Sequence, residues 1–232
     1  MDTVSTSPQP TRQGGSAVLI LDQPAVVAHA ESLAGQSELF GALLARNGPP
    51  PLWRRHPSFQ TLVRLVLEQQ VSLASANAAY RKLEQRVGDV TPVAVLESTD
   101  AELKADGFSR QKASYVRGIA ELITTGTLIP ESLATNRNGA VDELLTIRGV
   151  GPWTAACFAL FSLGLPDVWP RGDRALHVSM SQTMGMAHVP DSDQAQGIAG
   201  SWAPHRSTAA RMLWHDYLGG RSYVQGPDAG FV

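Results

Sequence analysis

A chain of 232 residues, 43% of them hydrophobic, has enough apolar surface for one substantial core or two small helical lobes, which excludes a coiled coil and a disordered chain. Its formal net charge of -2 excludes a protein that grips a polyanion by bulk charge, so affinity for nucleic acid must be modest, salt-sensitive and built from local geometry. One cysteine, Cys157, excludes an internal disulfide, a multi-cysteine zinc site and a four-cysteine iron–sulfur cluster, and its plainest role is that of a small buried residue.

Residues 1–16 are rich in Ser, Thr, Pro and Gly and read as a disordered arm without an apolar signal core, followed by a short strand or packed extended entry at Ala17 to Ile20. No stretch is long enough to span a bilayer, so a cytoplasmic protein with no membrane partner is expected. From Pro24 to Arg46 leucines and alanines recur at helical spacing until Asn47-Gly48-Pro49-Pro50-Pro51 stops them. Phe59, Leu62, Val63 and Val66 share a helical face, and Ser72 caps a further helix with Leu73, Ala76, Tyr80 and Leu83 inward, which leaves Gln70 at the junction. Thr91-Pro92 starts a helix, Thr99 and Glu102 form a capping box, Gly107 closes the short helix after it, and Ser109 opens one that carries Ala113, Val116, Ala120 and Ile123. Val141 to Thr146 and Pro152 to Leu163 flank Gly149-Val150-Gly151, a helix runs from Asp173 to Met180, and Asp191 and Pro204 begin two more. No run alternates long enough for a sheet, so the fold class is all-α, a helical domain over 17–218 with a flexible Gly-rich tail at 219–232.

The segment 144–163 carries the chemistry. Leu144, Leu145 and Ile147 end one helix, the glycines turn the chain, and Pro152 stands where a missing N–H costs nothing. Free backbone N–H groups and the positive end of a helix then face outward, able to hold a phosphate without lysine and without reading base sequence. Asp173, after Gly172 at the next helix start, is by itself an ordinary N-cap.

Together, Leu144-Leu145 with Gly149-Val150-Gly151-Pro152-Trp153-Thr154-Ala155, an apolar helix, and Asp167-Val168 with Pro170, Gly172 and Asp173 resemble the helix-hairpin-helix Gly/Pro-Asp superfamily of DNA glycosylases, and within it the DNA-3-methyladenine glycosylase II branch. Glu68-Gln69-Gln70-Val71-Ser72, Gly107 to Ala113, and Trp202 to Ser207 with Trp214 extend the likeness from about Pro51 to Leu218. It implies two helical lobes with an active-site cleft between them, no separate N-terminal β domain, and a monomer acting on double-stranded DNA that contains alkylated bases. The resemblance assigns catalysis to Asp173, the base pocket to Trp153, Trp214 and Cys157, and the wedge that fills the gap left by a flipped nucleotide to Gln70. DNA phosphate falls to Gly149, Gly151 and Thr154, and Asp167 is structural. A structural Na+ or K+ on the carbonyls of Leu145, Ile147 and Val150 is implied as well, although Arg148 replaces the family's usual proline; no other cofactor is required. Trp153 stands where strand-cutting members carry a lysine, so hydrolysis without lyase chemistry is expected. Two alternatives are a noncatalytic damage-binding module, which needs the hairpin but not Asp173, and a bifunctional lyase acting on oxidised bases.

Overall fold

A computed structural model describes residues 20–135 and 137–219; the expectations for the arm at 1–16, the entry segment at 17–19 and the tail from 220 lie outside them. Among the described residues there are twelve α-helices and no strand. One group comprises α1 (Gln23–Gln36), α2 (Glu38–Asn47), α10 (Arg174–Thr183), α11 (Ser192–Gly200) and α12 (Arg206–Tyr217), in which α12 packs on α1, α2 and α10. The other comprises α3 (Phe59–Glu68), α4 (Leu73–Val87), α5 (Pro92–Glu97), α6 (Asp100–Asp106) and α7 (Arg110–Thr124), with α3 against α4 and α7. α8 (Arg137–Leu145) and α9 (Pro152–Phe158) carry the chain back, and α9 packs on α3. The helices before α3 and after α9 thus form one group and α3 to α7 the other, with α9 joining them through its packing on α3 and the Trp153–Asp173 hydrogen bond.

Local chemistry sets most helix starts. Ser58, Ser72, Thr91, Thr99, Ser109, Asp173 and Asp191 each accept a hydrogen bond from a backbone N–H two or three residues on, and the capping boxes at Thr99–Glu102 and Asp191–Gln194 are both complete. Each cap contributes about 1 kcal/mol.

Two expectations require correction. The helical stretch from Pro24 to Arg46 is two helices, because Ser37 adopts extended angles (φ -148°, ψ 125°) and Gly35 and Ser37 are weak helix formers; the break lets α1 and α2 both reach α12. The helix from Pro152 to Leu163 is not uniform either, since α9 widens into a π-helical turn at Ala159–Leu163 that Gly164 ends at φ 67°. Such a turn releases carbonyls from the regular ladder. The Phe161 carbonyl accepts the Arg55 N–H at 3.0 Å, and the Leu160 carbonyl accepts Arg211 Nη2 at 2.8 Å. Arg211 is fully buried and also bonds the Leu52 and Ser207 carbonyls, stitching the segment between α2 and α3, the π turn and α12 together. Burial, with the charge of Arg54 behind it, draws its pKa down to about 9.

Candidate active site

The turn between α8 and α9 is closed by the Val150 N–H on the Ile147 carbonyl at 3.0 Å. Its two glycines have different reasons to be glycine. Gly149 sits at φ 90°, and a Cβ there would lie 2.2 Å from Cγ of Tyr115 on α7, so both backbone strain and packing demand it. Gly151, at φ -90° and ψ 179°, caps α9 with ordinary angles, and a Cβ would meet nothing within 4 Å. Nothing in the fold requires glycine at 151, and its backbone is open to approach from outside. Thr154, expected at the same phosphate, is 1% exposed with its hydroxyl accepting from Gln69, so its side chain belongs to the interior and its expected role rests on the backbone N–H in the first turn of α9.

Asp173 caps α10, positioned by Gly172 at φ 83° before it. Its Oδ1 accepts the Leu176 N–H at 2.9 Å and Trp214 Nε1 at 3.2 Å, while Oδ2 accepts Trp153 Nε1 at 2.8 Å. Both tryptophans expected to line a base pocket therefore turn their N–H groups onto the carboxylate. Trp214 is further fixed by stacking on Phe161 of the π turn, with centroids 5.4 Å apart and planes 23° from parallel. Asp173 is 8% exposed. A cavity of about 990 Å³ between α6, α7 and Arg148, and one of about 330 Å³ between Arg54 and Tyr80, both lie elsewhere and do not include it. The carboxylate is thus sheltered rather than displayed in an open cleft. Asp167, the competing acid, is paired with Arg206 at 2.7 Å, which keeps its carboxyl below the usual range against the opposing effect of burial.

Cys157, also assigned to the pocket, is 1% exposed inside α9 and presents no surface to a base, because its position on the helix faces the core. Burial, reinforced by the charges of Asp173 and Glu68, pushes its thiol well up. His177, one turn beyond Asp173, is buried too, and desolvation lowers its proton affinity against the opposing pull of Asp173.

Gln70 lies at the α3–α4 junction with φ 58°, a left-handed conformation rare outside glycine, and it is exposed next to Val71, itself 46% exposed. Of the carbonyls expected to hold a monovalent cation, that of Ile147 accepts the Val150 N–H, whereas those of Leu145 and Val150 accept no hydrogen bond among the described residues, an oxygen donor set of the right kind for Na+ or K+. Gln69 was absent from the residues expected at the site. Its Nε2 donates to the Gly149 carbonyl and to Thr154 Oγ1, both at 2.9 Å, across 80 and 85 residues, a separation at which no local pattern could signal it.

An all-helical fold that sets a glycine hairpin one helix away from a helix-capping aspartate belongs to the helix-hairpin-helix class. The family model of the HhH-GPD superfamily base excision DNA repair proteins matches residues 63–205, more than half of the chain, and the chain belongs to that superfamily. It is 24% identical over 182 residues to the putative DNA-3-methyladenine glycosylase YfjP of Bacillus subtilis, covering 75% of this chain and 63% of that one. It is 32% identical over 172 residues to a DNA-3-methyladenine glycosylase of the same organism, covering 67% of this chain and 56% of the relative, so it spans less than two thirds of both. Among solved structures, the Schizosaccharomyces pombe 3-methyladenine DNA glycosylase Mag1 in complex with abasic DNA superposes with a TM-score of 0.75 at 24% identity, over 84% of this chain and all of that one.

Proposed function

We propose that this chain is a monofunctional DNA glycosylase of base excision repair, hydrolysing the N-glycosidic bond of alkylated bases such as 3-methyladenine and 7-methylguanine in duplex DNA. The observation that carries the reading is the Asp173 carboxylate, held by three N–H donors one helix away from a hairpin with an open glycine. The names of the two Bacillus subtilis relatives support the same substrate class.

In this reading the hairpin N–H groups around Gly151 hold a backbone phosphate, the damaged nucleotide leaves the stack, and Gln70 fills the gap. Entry of the nucleotide displaces part of the indole shell, since Asp173 is so little exposed. The bond between C1′ and the base nitrogen breaks and its electron pair goes to the base. A base already cationic from alkylation departs neutral, without a protein acid. Positive charge developing on the deoxyribose is stabilised by the carboxylate, and water adds to C1′, its proton passing through Asp173 to solvent. The ring faces of Trp153 and Trp214 are suited to a cationic base, at about 0.5–2 kcal/mol each. Trp153 offers no amine to attack C1′, so no Schiff base forms.

Duplexes each carrying a single 3-methyladenine, 7-methylguanine or 1-methyladenine test the reading. Free base is expected, with strands that break only after alkali and no adduct trapped by borohydride. Binding without base release would favour the noncatalytic module, and breakage at the pace of release with efficient trapping would favour the lyase.

A further inference from the structure

The α3–α4 junction is fastened at three successive residues and then let go. The Leu67 carbonyl accepts Lys112 Nζ from α7 at 2.7 Å, Glu68 is paired with Arg55 at 2.9 Å in the interior, and Gln69 donates to Gly149 and Thr154. Gln70 and Val71, immediately beyond, are exposed, and Gln70 is the residue at positive φ. Of the three ties, only that of Gln69 reaches the glycine hairpin.

We infer that Gln69 is a positioning residue which locks the Gln70 tip to the phosphate-holding hairpin, so that seating a phosphate and filling the vacated stack occur as one rigid motion. The inference rests on the role proposed above for Gln70. The chemistry at Gln69 is one-sided: its amide N–H₂ meets two oxygen acceptors, and one of them, the Gly149 carbonyl, belongs to a residue whose position Tyr115 already fixes. The hairpin is therefore the anchor and the Gln70 tip is what is held. A side chain without an N–H loses the tie to the hairpin, and a carboxylate there can accept from the Thr154 hydroxyl but only repels the Gly149 carbonyl.

The test is a double-mutant cycle between Gln69→Met, which keeps the length and removes the donor, and Gln70→Ala, read as affinity for a duplex with a tetrahydrofuran abasic-site analogue relative to an undamaged duplex. Gln69→Met is expected to lower that ratio about tenfold, the scale of one lost hydrogen bond, with undamaged-duplex affinity unchanged and with no further effect when Gln70 is already alanine. Gln69→Glu is expected to do the same, and serves if the methionine variant does not fold. Parallel loss on both duplexes, or a full penalty that persists in the Gln70→Ala background, would overturn the inference, as would a Gln70→Ala variant that leaves the ratio unchanged. Since binding alone is read, failure of the wild type to release any alkylated base would sink the proposed function while leaving this cycle interpretable.

Discussion

The glycine hairpin and the Asp173 junction are neighbours across α9, yet they are built in opposite ways. At the hairpin the groups offered in the proposed function are backbone, Gly149 is packed against Tyr115, and Gly151 stands open. At Asp173 the useful group is a side chain, three N–H donors are already spent on it, and it is almost closed to solvent. In the proposed function the contrast separates affinity from chemistry: DNA would meet the first region by collision and the second only after something has moved.

Replacing Asp173 is the hardest test of that division. Asp173→Asn keeps a good N-cap, so the fold and the affinity for an abasic duplex should survive while base release falls by about 10³-fold, the scale of losing a preorganised electrostatic group. Release rates and duplex titrations on one preparation check this, and a parallel fall in both would merge the two regions into one.

The hairpin glycines come next. Gly149→Ala meets Tyr115 and a strained φ, a loss of about 1–3 kcal/mol in stability from the backbone alone, visible in urea unfolding. Gly151→Ala should unfold like the wild type and bind lesion and undamaged duplexes about tenfold more weakly, by the same factor for both, because a phosphate contact carries no sequence information. Equal destabilisation by the two substitutions would erase the distinction drawn within the hairpin.

The indoles give the smallest and most local effect. Trp153→Phe and Trp214→Phe each delete one N–H to Asp173, and the second keeps a ring on Phe161. Each should slow base release about tenfold under saturating DNA and leave undamaged-duplex affinity alone. A change confined to KM would return both tryptophans to base contact only.

What could be read along the chain was whatever is enforced within a few residues. Ser72, Thr99 with Glu102, Ser109 and Asp191 announce their helices because a cap reaches only two or three positions ahead. The hairpin is legible for the same reason, glycines followed by proline. The π turn is not, since what holds it is Arg55 and Arg211, about 106 and 50 residues away, and they satisfy the carbonyls it frees. Nor could the indole N–H groups be placed: the resemblance assigns Trp153 and Trp214 to a base pocket, but that each turns its N–H onto Asp173 depends on how three helices meet. Nor does the sequence show that the Thr154 side chain is buried, which follows from the turn of α9 against α3.

The asymmetry between the two glycines also bears on how this sequence can drift. Position 149 is doubly tied, once by its own backbone angle and once by Tyr115, so shrinking the tyrosine in an ancestor would not have freed it. Position 151 is tied by nothing inside the polypeptide. Variation among descendants at 149 would record what the fold tolerates, and variation at 151 would, under the proposed function, record whether the lineage still handles DNA; a copy that has lost that task should change at the second site long before the first.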